Sequence, residues 1–127
     1  MTPAEVLAAA ADKLDALAEA AIDGPWRPHD THLTLGGHTA TVMRGEGNDV
    51  DLVAWLPTFS DSPWGQERKA WGTSEYIAAM NPLVGKALAE LFRMEFARID
   101  ATEKVHPPYR PDPEVLALAR LIIGGES

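Results

Sequence analysis

Three of the four histidines and one aspartate of the chain lie within ten residues: His29, Asp30, His32 and His38. Imidazole nitrogens and a carboxylate oxygen are competent ligands for Zn²⁺ or Ni²⁺, so a metal-dependent hydrolase built on the His29–His38 segment is one function to weigh. The spacing does not force these groups together, as two histidines one helical turn apart would be. We therefore predict no metal at His29, His32 and His38, and no cofactor.

A second group combines tryptophan with cationic side chains: Trp64, Arg68, Lys69 and Trp71. It falls in residues 58–72, where Ser, Asp, Pro and Gly predict a long loop, and loops of this length are often functional. Trp and Arg are over-represented among the residues that dominate protein interfaces, so we predict a partner-binding surface here. The alternative is that these tryptophans fill the core, as we expect of Trp26 and Trp55.

Composition excludes several classes of site. The chain has no cysteine, which excludes disulfides, thiolate metal sites and cysteine nucleophiles. Its 11 basic and 19 acidic residues give a net charge of −8, which disfavours direct binding to nucleic acid. The sequence contains neither a run of about 18 apolar residues nor the pattern of a signal peptide. We expect no membrane association and a cytoplasmic location.

The N-terminal segment has the features of an amphipathic helix over residues 3–22. Thr2 and Glu5 are placed to form a capping box, and Pro3 suits the first helical position. Apolar residues then recur at spacings of three and four: Leu7, Ala10, Leu14, Leu17 and Ala21. This stripe predicts a helix packed on its own domain, with a homodimer through Leu7, Leu14 and Leu17 as the alternative.

The pattern over residues 31–57 predicts a three-stranded antiparallel meander. The Gly36–Gly37 pair predicts a hairpin turn between strands over 32–35 and 38–42, and the Gly-rich residues 45–49 predict a second turn. Three strands need an apolar face to be covered. We expect the N-terminal helix and a C-terminal helical segment to cover it.

Helix signals return after the long loop. They predict helices over residues 74–80, 82–103 and 113–123, the last two beginning with proline after a capping residue. The predicted order is α-β-β-β-α-α-α, an α+β fold. The length of 127 residues predicts a single domain over residues 1–127.

Four short motifs follow one another along the chain: Gly24-Pro25-Trp26, Glu75-Tyr76-Ile77-Ala78-Ala79-Met80-Asn81-Pro82, Ala87-Leu88-Ala89-Glu90-Leu91 and Leu116-Ala117-Leu118-Ala119-Arg120. Together with the Ala-rich first helix, they resemble small proteins of Streptomyces-type actinobacteria and their phages. More distantly, they are similar to the Ead-like early proteins of tailed phages. The resemblance covers most of the chain outside residues 58–72. It implies an accessory role in a phage or mobile element, and no catalytic residues.

These observations favour a non-catalytic accessory or regulatory protein that acts by binding another protein. One alternative is an acidic decoy that occupies a nucleic-acid-binding host protein, with the carboxylates of the first helix standing in for phosphates. The other alternative is the metal-dependent hydrolase.

Overall fold

The computed structural model describes residues 1–32, 38–56 and 66–124, and for residues 66–68 the backbone alone. Its helices are α1 (Pro3–Ala20), α2 (Gln66–Ala79), α3 (Pro82–Ala101) and α4 (Pro113–Ile123). Its strands are β1 (Arg27–Asp30), β2 (Ala40–Glu46) and β3 (Asp49–Leu56). The predicted order α-β-β-β-α-α-α and the α+β class are confirmed.

The chain divides into two compact units, each described by itself. The helical unit comprises Met1–Ala20 and the chain from Gly85 onward, and the sheet unit comprises Ala21–Val84. The single domain over residues 1–127 stays a prediction. Across the described ranges, no helix has both the length and the apolar character needed to cross a bilayer.

The helical unit is built around Phe92, which is fully buried on α3. Alanines from three helices surround it without exposure: Ala10 and Ala11 of α1, Ala89 of α3 and Ala119 of α4. Such small side chains let the helices approach closely, so one large ring fills the space between them. The predicted capping box is confirmed, since Glu5 N donates to Thr2 Oγ1 and Thr2 N donates to Glu5 Oε1, both at 3.1 Å.

The apolar stripe of α1 is only partly used inside the chain. Leu7 is fully buried in the core of the helical unit, and Leu14 packs against that core. Leu17, near the end of α1, is 56% exposed. Two of the three residues of the predicted homodimer face are therefore already occupied by the protein's own helices.

The sheet is an antiparallel meander with β2 in the middle, as predicted, but its first strand lies earlier than predicted. β1 occupies residues 27–30 and pairs with β2 from Arg27 opposite Met43 to Asp30 opposite Ala40. The segment lacks the β-branched and aromatic residues that signal a strand, and proline is tolerated in it because β1 lies at the edge of the sheet. The predicted strand over 32–35 was wrong at His32, which follows β1, and residues 33–37 lie outside the described part.

The helix that packs on the sheet is α2, which contacts all three strands. We predicted a loop over residues 58–72 and a helix over 74–80. The helix is confirmed over residues 74–79, whereas the loop was wrong from Gln66 onward, where α2 begins. Gln, Glu, Arg, Lys and Ala at positions 66–70 are all good helix formers, and this local preference outweighs the loop signals around them. Residues 57–65 lie outside the described part. Of the two predicted covering elements, the helical segment after the sheet contributes α2, whereas α1 packs against α4 within the helical unit.

Candidate functional site

The connection between β1 and β2 gathers three potential metal ligands. Asp30 ends β1, and beyond it Thr31 N donates to Thr39 O at 3.1 Å, which extends the pairing by one residue. Thr41 Oγ1 donates to the carbonyl oxygen of His29 at 2.8 Å. These bonds hold the two ends of the connection next to each other, so side chains at both ends can meet.

The carboxylate of Asp30 is held by backbone amides on one oxygen and faces imidazoles with the other. Oδ1 accepts from the backbone N–H of Thr39 at 3.0 Å and of His32 at 3.3 Å. Oδ2 lies 2.5 Å from His38 Nδ1 and 3.4 Å from His32 Nε2. One potential ligand atom from each of Asp30, His32 and His38 therefore lies within 4.8 Å of the other two.

The electrostatics of this group favour an ionised carboxylate. Burial of Asp30 acts to raise its pKa, but hydrogen bonds from the His38 side chain and the Thr39 amide, together with the charge of His32, outweigh burial and hold the pKa below its ordinary value. The side chains of His32 and His38 are 59% and 60% exposed. The group is thus an anionic carboxylate beside two solvent-accessible imidazoles.

The structure separates His29 from the other residues of the predicted cluster. His29 pairs with Thr41 and Asp30 pairs with Ala40, so consecutive residues of β1 place their side chains on opposite faces of the sheet. His32 has a positive φ of 52°, an uncommon conformation outside glycine, in the turn of the chain just after β1. The sequence identified His29, Asp30, His32 and His38 as possible ligands. The structure brings Asp30, His32 and His38 together and leaves His29 on the other face of the sheet.

The predicted partner-binding residues that the structure describes differ in their exposure to solvent. Lys69 is exposed on α2, whereas Trp71 is half-buried, and the carbonyl of Trp71 accepts a hydrogen bond from the buried Ser74 hydroxyl at 2.8 Å. Trp64 lies outside the described residues, and so does the side chain of Arg68. The described part therefore leaves Trp71 half-buried and Lys69 exposed, and the partner-binding surface over these residues stays a prediction.

An exposed apolar surface lies instead on β3, which the sequence analysis did not single out. Val50, Leu52 and Trp55 are 40%, 47% and 58% exposed. They pair with Gly45, Met43 and Thr41 of β2, which are alternate residues and therefore lie on one face of the sheet. Because of a register shift between Val42 and Met43, Trp55 lies on the same face as Leu52 although it is three residues further along β3. We call these three residues the β3 surface. The expectation that Trp55 is a core residue was wrong, while Trp26 is half-buried and its Nε1 donates to Ile22 O at 3.0 Å.

The acidic residues of α1 have partners within the helical unit. Arg93 Nη2 lies 2.5 Å from Asp15 Oδ2 and 3.4 Å from Asp12 Oδ1. Glu5 takes part in the capping box. Three of the four carboxylates of this helix are therefore engaged in intramolecular contacts.

The chain was also compared with known proteins. No protein-family model, no curated protein and no solved structure matches it.

Proposed function

We propose that this protein is a non-catalytic accessory or regulatory protein that acts by binding another protein through the β3 surface. The observation that carries the proposal is the exposure of Val50, Leu52 and Trp55 side by side on one sheet face. A contiguous apolar surface that includes a tryptophan is typical of protein interaction sites. Ala40 and Val42 on the other face are fully buried, and so is Thr41, the β2 partner of Trp55, so the exposure belongs to the side chains of β3 itself.

The position of β3 adds a second way to hold a partner. Among the described residues, the strand order β1-β2-β3 places β3 at an edge of the sheet, and its eight residues are twice the length of β1. An edge strand can pair with an extended segment of another protein, which forms main-chain hydrogen bonds while alternate side chains set specificity. We propose such an extended, apolar segment as the partner's contribution.

Contacts in the helical unit weigh against the acidic-decoy alternative. A phosphate mimic needs carboxylates that are free to meet the cationic groups of the target. On α1, Asp12 and Asp15 already face Arg93 at 3.4 and 2.5 Å. The β3 surface therefore supports protein binding better than α1 supports mimicry of nucleic acid.

The hydrolase alternative relied on the segment from His29 to His38. His29 projects from the face of β1 opposite to Asp30, so Asp30, His32 and His38 converge without it, and the hydrolase stays the second alternative. The phage or mobile-element setting enters the proposal only through the resemblance to small actinobacterial and actinophage proteins and, more distantly, to Ead-like early proteins.

The proposal is tested by affinity capture from a bacterial lysate with three matched baits: the natural sequence, Trp55→Ala and Tyr76→Ala. Tyr76 is the control because it is an exposed aromatic residue of the same unit, on α2. We expect one protein to be retained by the natural sequence and by Tyr76→Ala, and lost with Trp55→Ala. For the purified pair, truncation of a dominant interface tryptophan raises Kd by about 30-fold, the equivalent of about 2 kcal/mol.

Equal retention by all three baits contradicts the β3 surface as the binding site. Failure to retain any protein with the natural sequence, from lysates of several actinobacterial hosts with and without phage infection, contradicts protein binding as the function in the proposed setting.

A further inference from the structure

We propose, in place of the sequence-based prediction of no metal at His32 and His38, that Asp30, His32 and His38 bind one divalent transition-metal ion, with Zn²⁺ the best-fitting species. Two imidazole nitrogens and one carboxylate oxygen are the ligand set of many three-ligand zinc sites and of other two-histidine, one-carboxylate sites. The convergence of these atoms within 4.8 Å, from two ends of a strand connection, carries the inference. It does not depend on the proposed function of the β3 surface.

One of the observed distances matches that of a ligated site, and a second is shorter. A tetrahedral ion with ligand bonds of about 2.0–2.1 Å places neighbouring ligand atoms about 3.3 Å apart. His32 Nε2 already lies 3.4 Å from Asp30 Oδ2. His38 Nδ1 lies 2.5 Å from the same oxygen, a direct hydrogen bond, so binding of the ion requires the exposed His38 side chain to move outward and exchange this bond for ligation.

The carboxylate is oriented as metal-binding carboxylates are. In metal sites the oxygen that does not ligate is commonly held by hydrogen bonds, which fix the direction of the ligating oxygen. In this chain the amides of Thr39 and His32 hold Oδ1 at 3.0 and 3.3 Å, and Oδ2 is directed toward both imidazoles. The backbone amides therefore hold Asp30 in an orientation that offers one oxygen, Oδ2, to an ion.

The exposure of the two imidazoles defines the kind of site. Because His32 and His38 are more than half exposed, water completes the coordination of an ion held there. The ion links the residue that ends β1 to a residue two positions before β2, so we infer that it stabilises this connection. Excess Zn²⁺ at 100 times Kd then shifts the folding equilibrium about 100-fold toward the folded state.

The test is titration of the metal-free full chain with Zn²⁺, measured by calorimetry, together with thermal melting of the chain with and without Zn²⁺. The four histidines offer matched variants: His32→Ala and His38→Ala remove proposed ligands, whereas His29→Ala and His106→Ala remove histidines outside the group. We expect one equivalent bound by the natural sequence and by the two controls, with a higher Tm. The affinity of either ligand variant falls by more than about tenfold, since even residues behind the ligands typically contribute 10–100-fold.

A second measurement keeps the inference independent of any effect of the variants on folding. Co²⁺ added to the natural sequence is expected to give the visible absorption bands of a nitrogen- and oxygen-ligated ion, and equimolar Zn²⁺ to abolish them. The inference is overturned if the natural sequence takes up no Zn²⁺, or if His29→Ala or His106→Ala weakens binding as much as His38→Ala does.

Discussion

The hydroxyl of Tyr109 lies 3.0 Å from Oε1 and 2.9 Å from Oε2 of Glu95, and its single O–H is shared between the two oxygens. Glu95 is buried on α3, and Tyr109 precedes α4. The same carboxylate accepts from Arg98 Nη1 at 2.8 Å and from the backbone N–H of Asp112 at 3.3 Å. A buried anion thus connects α3 to the N-terminal end of α4, where Asp112 is the capping residue.

Tyr109→Phe removes the hydroxyl while keeping the ring. We expect the free energy of unfolding to fall by about 1.5–3 kcal/mol, the range for hydrogen bonds to charged groups. Tyr76→Phe is the matched control, because the other tyrosine is 70% exposed, and it should change stability by less than about 0.5 kcal/mol. Urea unfolding of both variants measures the difference, and equal effects would contradict a structural role for the Glu95 contact.

Gly45 and Gly47 both have positive φ values, 85° and 63°, but differ in the space around them. A Cβ at Gly45 would lie 2.0 Å from the carbonyl oxygen of Asp49, whereas a Cβ at Gly47 would meet nothing within 4 Å. We expect Gly47→Ala to cost about 1–2 kcal/mol for the left-handed backbone alone. Gly45→Ala should cost clearly more, since the β2–β3 turn must also shift, and thermal melts of the two variants side by side test this order.

Substitution of Trp55 and of Trp71 tests which of these two side chains contributes to the stability of the fold. Because Trp71 is half-buried and Trp55 is 58% exposed, we expect Trp71→Ala to lower Tm by about 5–10 °C and Trp55→Ala by less than half as much. If residues 64–71 instead form a partner-binding surface, Trp71→Ala should leave Tm unchanged and abolish binding. The ratio of the two shifts in Tm is the measurement that decides between these outcomes.

The capping box of α1 predicts a pH dependence of stability. Hydrogen bonds from the backbone and the side chain of Thr2 lower the pKa of Glu5. A lowered folded-state pKa contributes stability that is present above the ordinary glutamate pKa of about 4.3 and is lost as pH falls through the folded value. The Tm difference between the natural sequence and Glu5→Gln should therefore be positive at pH 7 and shrink toward zero at pH 3. A difference that stays constant over this range contradicts the proposed role of the ionised carboxylate.

Local signals in the sequence predicted most of the elements. Thr2 and Glu5 mark the start of α1, Asn81 and Pro82 the start of α3, and Asp112 and Pro113 the start of α4, because capping acts within one helical turn. The β2–β3 hairpin follows from its Gly-rich turn for the same reason. Where such signals were absent, as in β1, or mixed, as at the beginning of α2, the prediction was wrong.

The sequence by itself determined which residue types could act: an aspartate among histidines near β1, and tryptophans beside cationic residues. It also determined the order of the elements, since helix caps and hairpin turns are local. Tertiary structure alone decided which of these side chains meet, because strand pairing places His29 and Asp30 on opposite faces and brings His38 to within 2.5 Å of Asp30. It likewise decided that Trp55 is exposed and Trp71 half-buried, because burial depends on contacts between residues far apart in the chain.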